Sequence, residues 1–203
     1  MDAQSRITFA FVESAIATSA VLQAVLGRLY TNEPDALAHT QRVAQLAVRV
    51  GAELGMAERA LDHLERAAWM HDIGRFVVAE PVSREADLFG ADTSLARGEQ
   101  AFAAAAIANS VPFLRPAGEI VIASREWFDG TGYPQGLKGA AIPFSARILH
   151  VADVYDALIS LSLALAMSPD TVTPELVRQS GSRFDPDVVA AWLRCSEGVD
   201  LCC

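Results

Sequence analysis

The sequence predicts an all-α protein, a compact bundle of six to eight helices in one domain. Three observations carry this. Apolar residues recur at three- and four-residue intervals along most of the chain, the spacing that places them on one face of a helix. No stretch alternates apolar and polar residues for long enough to build a sheet. With 52% hydrophobic and 20% charged residues among 203, the chain has enough apolar surface to offset its ordering entropy, which excludes disorder.

The elements follow in order. Ile7 to Leu26 reads ITFAFVESAIATSAVLQAVL, about the length of a spanning helix, yet it contains Glu13 and Gln23. Its start, Met1-Asp2 with only Arg6 as a cation, lacks the basic region and the cleavage site of a signal peptide. Residues 1–30 are therefore expected to form an N-terminal helix, buried or pairing two chains, with no membrane span. A helix starts near Pro34, with Asn32 as a candidate cap, and carries Val43, Leu46, Ala47, Val50 and Leu54 on one stripe. Gly55 suits its stop, and a second helix runs from about Ala57 to Met70 with Leu61, Leu64 and Ala68 inward. The alanine-rich stretch Gln100 to Asn109 is helical by propensity.

Pro116 to Ser124 forms another helix, and the Gly- and Pro-rich residues 129–143 (DGTGYPQGLKGAAIP) form an ordered loop. Helix resumes from Phe144 through Leu165, and a last one begins at Asp185-Pro186 with Val188, Val189 and Trp192 on one side. Residues 31–195 thus make one domain, and 196–203 a tail.

Charge narrows the function. A formal net charge of −9 argues against holding a nucleic acid duplex by electrostatics. Of the 16 basic residues only Lys138 is lysine, a skew of a GC-rich genome rather than of function. Cys195, Cys202 and Cys203 all lie at the end of the chain, so no disulfide framework staples the fold; a reducing, cytoplasmic setting is expected, and a frayed tail suits the Cys202-Cys203 pair.

The candidate chemistry lies in histidine and aspartate. His39 sits one turn into a core helix, with Asp35 four residues earlier on the same face. His71-Asp72 ends an apolar helix, and Asp153 lies in HVADVYDAL among Val151, Val154 and Leu158. A buried aspartate without a cationic partner is costly. Two imidazoles and two carboxylates from three helices suit one divalent metal, although each residue taken singly also fits a hydrogen-bonded core position. His63, among Asp62, Glu65 and Arg66, reads as a surface residue. His150 shares a face with Asp153, either as support for a ligand or as a hydrogen-bonded helix residue.

The motifs H-T-Q-R-V at 39–43, H-D-I-G-R at 71–75, E-W-F-D-G-T-G-Y-P-Q-G-L-K-G at 126–139, I-P-F-S-A-R-I-L-H-V-A-D-V-Y-D-A-L at 142–158 and S-R-F-D-P-D-V-V at 182–189 occur in a fixed order. In them the chain resembles the HD-GYP family, a branch of the HD superfamily of metal-dependent phosphohydrolases, over about residues 30–195. The resemblance implies a compact helical bundle, hydrolysis of cyclic di-GMP, and iron or manganese as metal. It implies metal ligands at His39, His71, Asp72 and Asp153, with Asp35 as a possible further one. Mechanistically, Asp72 or Asp35 is the candidate carboxylate to orient a metal-coordinated water. Arg75, where lysine is usual, is a candidate phosphate contact. Gly132, Tyr133 and Pro134 shape the loop, which in the family also engages diguanylate cyclase domains.

The chain departs from the family at three imidazoles. Ser124-Arg125 stands where two histidines are usual, and the region of Arg97-Gly98-Glu99, aligned at Gly98, contains none. SLSLALAMSPD replaces a basic aromatic segment. Arg125 either stands in for a lost cation, pairing with Asp72, Asp153 or a substrate phosphate, or reaches solvent, Glu126 or Asp129. The expectation is a degenerate HD-GYP domain of cyclic di-GMP signalling with one divalent metal and weak or no phosphodiesterase activity, acting through ligand or partner binding. The alternative is an active single-metal phosphohydrolase on a nucleotide or cyclic dinucleotide. Expected partners are cyclic di-GMP or another phosphate ester, a diguanylate cyclase domain protein and a second copy of the chain.

Overall fold

Helix α2 (Pro34–Glu53) sets the frame, because its buried stripe of Val43, Ala44, Ala47 and Val50 faces the interior along its length. The protein is described by a computed structural model over residues 20–78, 94–165, 168 and 171–196. Residues 1–19 of the expected N-terminal helix and the Cys202-Cys203 pair lie outside the described residues. What is described of that helix, α1, covers residues 20–29 and packs Leu26 and Leu22 against the core, with Tyr30 following, while Val21, Val25 and Leu29 face outward.

Pro34 opens α2 as the sequence predicts, since a first-turn proline forfeits no helical hydrogen bond. The cap differs. Glu33 rather than Asn32 occupies that position, and no side chain caps the helix. Gly55, at φ +72°, ends the passage out of α2, a backbone that glycine adopts without steric cost. Helix α3 (Glu58–Met70) then runs back along α2 and buries Leu64, Ala67 and Ala68. A 3-10 turn, Ile73–Phe76, leads away. Its Gly74 lies so close to the next helix that a Cβ there would stand 1.8 Å from the Gln100 carbonyl oxygen.

That helix, α4 (Ser94–Asn109), starts six residues earlier than alanine content alone indicates. Its buried Ala101, Ala104, Ala105 and Ala108 let it approach α5 (Arg115–Ala123), which also lies along α3. After the loop comes α6 (Phe144–Ala164), the central helix, apolar on most sides and packed on α2, α3 and α5. Short α7 (Val172–Arg178), which helical periodicity does not reveal in so few residues, buries Val172 and Leu176. Helix α8 (Pro186–Ser196) closes on α2 and α6 with Val188, Val189 and Trp192 inward. Eight α-helices and no strand are present among the described residues, as the sequence predicts. No described helix is long and apolar enough to cross a membrane.

Candidate metal centre

The packing of α2, α3 and α6 brings together residues distant in sequence. His39 and Thr40 sit on the buried face of α2, His71 follows the apolar end of α3, and Asp153 lies on α6. His39, His71 and Asp72 each offer a ligand atom, all within 4.8 Å of one another. The Nε2 atoms of the two histidines are 3.3 Å apart. Asp153 Oδ1 lies 3.3 Å from His39 Nε2 and 3.5 Å from His71 Nε2, and Asp72 Oδ1 lies 3.5 Å from the latter.

The other ring nitrogens are already used. His71 Nδ1 lies 2.7 Å from the Ala68 carbonyl, which can only accept, so it carries the proton. His39 Nδ1 lies 2.7 Å from Asp156 Oδ2, and the same argument makes it the donor. Arg42 clamps that carboxylate, with Nε 2.5 Å from Oδ1 and Nη2 2.9 Å from Oδ2. Burial raises the Asp156 carboxyl, but hydrogen bonds from His39 and Arg42 outweigh it and hold it below the usual range. Burial likewise opposes ionisation of Asp153, yet His71, His39 and Arg125 keep it well below the usual carboxylate range. Both Nε2 atoms and two carboxylates therefore converge, a set satisfied by protons on the imidazoles or by a bound cation. These residues fit a divalent metal with nitrogen and oxygen ligands.

Asp156 and Arg42 escaped the sequence reading. A signal exists: Arg42 lies three residues after His39 and Asp156 three after Asp153, one helical turn in each case. A carboxylate on the far nitrogen of a ligating histidine fixes its tautomer and ring orientation.

Arg125 lies inside the site. Its Nη1 donates to Asp153 Oδ2 at 3.0 Å, and Nη2 stands 3.6 Å from Asp72 Oδ1. Arg75 turns elsewhere, with Nη2 2.7 Å from Glu33 Oε2 and the guanidinium over the Phe76 ring. Asp35 is exposed and outside the three-residue group. His63 is half-buried rather than on the open surface, and burial lowers its pKa.

The loop is anchored by a residue the sequence showed only as part of a motif. Buried Glu126 accepts the backbone N–H groups of Gln135 at 2.7 Å and Leu137 at 3.1 Å. Gly132 has no alternative, since a Cβ there would lie 2.1 Å from the Trp127 nitrogen. The Tyr133 nitrogen donates to the Arg125 carbonyl, its ring lies beside Gly98, and Pro134 is half-buried. His150 is a hydrogen-bonded helix residue here: Nδ1 donates to the Glu126 carbonyl, and Nε2 accepts from Arg183 Nε at 3.1 Å. Burial, with the charges of Arg183 and Arg125, pushes its pKa down to about 3, so it stays neutral.

Comparison with known proteins agrees with this architecture. The HD domain family matches residues 25–188. A cyclic di-GMP phosphodiesterase of Thermotoga maritima is 31% identical over 79% of this chain and 45% of its own length. The response regulator RpfG of Xanthomonas campestris pv. campestris, also a cyclic di-GMP phosphodiesterase, is 32% identical over 82% of this chain and 45% of its own. The chain thus spans less than half the length of these relatives. Among solved structures, a cyclic GMP-AMP specific phosphodiesterase of V. cholerae (V-cGAP3) superposes with a TM-score of 0.69 at 21% identity, covering 89% of this chain and 49% of that one. An HDG"Y"P protein of Bdellovibrio bacteriovorus gives 0.67 at 16% identity, over 92% and 65%. With the five motifs in order and the helices packed as in these structures, the chain belongs to the HD domain family, in its HD-GYP branch.

Proposed function

We propose that this chain is a degenerate HD-GYP domain of cyclic dinucleotide signalling that binds one divalent metal, iron or manganese, through His39, His71, Asp72 and Asp153. It acts by binding a ligand or partner in the cytoplasm, with weak or no hydrolysis of cyclic di-GMP. The observation that carries this is the convergence of both Nε2 atoms on Asp153 Oδ1 at 3.3 and 3.5 Å, with both Nδ1 atoms already donated.

When bound, the ion supplies Lewis acidity and positive charge to a phosphoryl group. The protein's own part is orientation. Asp156 fixes the His39 ring, Asp72 orients a water toward phosphorus, and the Arg125 charge offsets that of the phosphate. Gly98, Ser124 and Arg125 offer no imidazole, so the pair of ions that clamps attacking and leaving oxygens lacks ligands. The relatives' activities support a cyclic dinucleotide as the ligand, and the anchored loop at Gly132, Tyr133 and Pro134 supports a partner such as a diguanylate cyclase domain.

A second reading, an active single-metal phosphohydrolase on a nucleotide or cyclic dinucleotide, is favoured by the grouping of His39, His71 and Asp72 with Asp153 beside them. Anaerobic purification with iron and manganese, metal analysis, cyclic di-GMP calorimetry and hydrolysis assays test both. One ion per chain, ligand binding and slow hydrolysis are expected, with metal lost in the His71→Ala/Asp72→Ala variant. A metal content at trace level overturns the metal site. Fast hydrolysis abolished by that variant establishes the second reading.

A further inference from the structure

Both carboxylates of the centre are shared between the histidines and Arg125. Asp153 turns Oδ1 to the imidazoles and Oδ2 to Arg125, whose Nη1 is 3.0 Å away. Asp72 Oδ1 stands 3.5 Å from His71 Nε2 and 3.6 Å from Arg125 Nη2. The guanidinium therefore meets Asp153 on the oxygen turned away from the histidines and shares Asp72 Oδ1 with His71. A second ion bridged to the first through these carboxylates would need that place, since paired catalytic ions stand about 3.5–4 Å apart.

Arg125 is also held there. Its side chain is only 10% exposed, its carbonyl accepts the Tyr133 N–H at 3.3 Å, and Glu126 beside it is fixed by the loop. A guanidinium cannot be chelated away or deprotonated in a protein, and it donates hydrogen bonds in a rigid fork that suits two carboxylates.

We propose that Arg125 is a resident counter-cation: it occupies the position of a second divalent ion between Asp72 and Asp153, limits the chain to one ion, and keeps the acidic half of the site neutralised with no metal present. This deepens the single-metal reading above and rests on it for the ion count alone. It also accounts for the weak turnover expected in the reading proposed above. Arg125 supplies charge, as a second ion would, but it has no vacant coordination position at which to activate water.

The test compares wild type, Arg125→Gln and Arg125→Lys by Mn²⁺ titration with metal counting, and by melting in chelator. Wild type and Arg125→Lys are expected to bind one Mn²⁺. Arg125→Gln, freed from repulsion between like charges, is expected to bind its first Mn²⁺ at least tenfold more tightly and to take a second. In chelator, Arg125→Gln should melt about 5 °C or more below wild type, and Asp153→Asn added to it should restore part of the loss. Two Mn²⁺ per wild-type chain, an unchanged Mn²⁺ affinity in Arg125→Gln, or equal melting temperatures in chelator would overturn the proposal. If wild type binds no Mn²⁺, the metal reading falls, and the melting comparison still decides the counter-cation.

Discussion

His39 and His71 turn their Nε2 atoms toward each other across 3.3 Å, while each ring donates its Nδ1 proton to an acceptor on its other side. Two ring nitrogens facing each other at that distance need a proton or a metal ion at Nε2 to offset their repulsion. The acceptors differ: a helix carbonyl for His71, and the carboxylate of Asp156, 117 residues away in sequence, for His39. The site thus depends on a buried charge outside the ligand set.

Asp156→Asn tests that dependence. The substitution keeps the size of the side chain and removes the charge that orients and polarises His39. Mn²⁺ affinity is expected to fall by about tenfold, the lower end of what such supporting residues contribute. Titration of the folded variant reads this directly, and an unchanged dissociation constant would mean that His39 is oriented by packing alone.

His150 makes stability depend on pH. Its folded pKa, about 3, lies below its unfolded value of about 6.5, so the unfolded chain takes up the proton first. Stability is full above about pH 6.5 and declines by about 1.4 kcal/mol per unit as pH falls toward the folded value. The depressed Asp153 and Asp156 carboxyls contribute stability above about pH 4 that is lost on further acidification. In His150→Gln, the slope of melting temperature between pH 6 and pH 4.5, roughly the window given by that unfolded value, should be shallower than in wild type. Parallel slopes would show that His150 protonates in the folded state.

Glu126→Ala should loosen the loop. It removes the acceptor of two backbone N–H groups, at Gln135 and Leu137, at a cost of about 3 kcal/mol. Chemical denaturation measures the loss. Hydrogen exchange should rise at those two amides above all, whereas a uniform rise would indicate general destabilisation.

Gly74→Ala probes the contact between the 3-10 turn and α4. The added Cβ would meet the Gln100 carbonyl oxygen at 1.8 Å, so one element must move. A loss of about 2–4 kcal/mol is expected, within the range of overpacked interior sites. Gly27→Ala, where no atom lies within 4 Å of the new Cβ, serves as the control and should not be destabilised. Similar stability of the two variants would contradict the close approach.

The helices were legible because a buried face repeats along its own element. Pro34, Gly55 and Asp185-Pro186 marked boundaries through backbone chemistry that holds in any tertiary setting. His39, His71, Asp72 and Asp153 could be picked out together because motif order and burial both pointed to them. Asn32 failed as a cap because capping depends on side-chain direction at the chain's turn into α2, which composition does not encode.

Sequence by itself determined the fold class, the family resemblance, the scarcity of imidazoles and the faces on which His39, His71 and Asp153 lie. Only tertiary structure decided which partners those faces meet. It directed Arg125 to Asp153 and Asp72 rather than to solvent, Arg75 to Glu33, and Asp156 to His39 and Arg42. The physical reason is that periodicity acts within one helix, whereas a charge selects its partner through distance and burial. Both arise only when helices distant in the chain pack together.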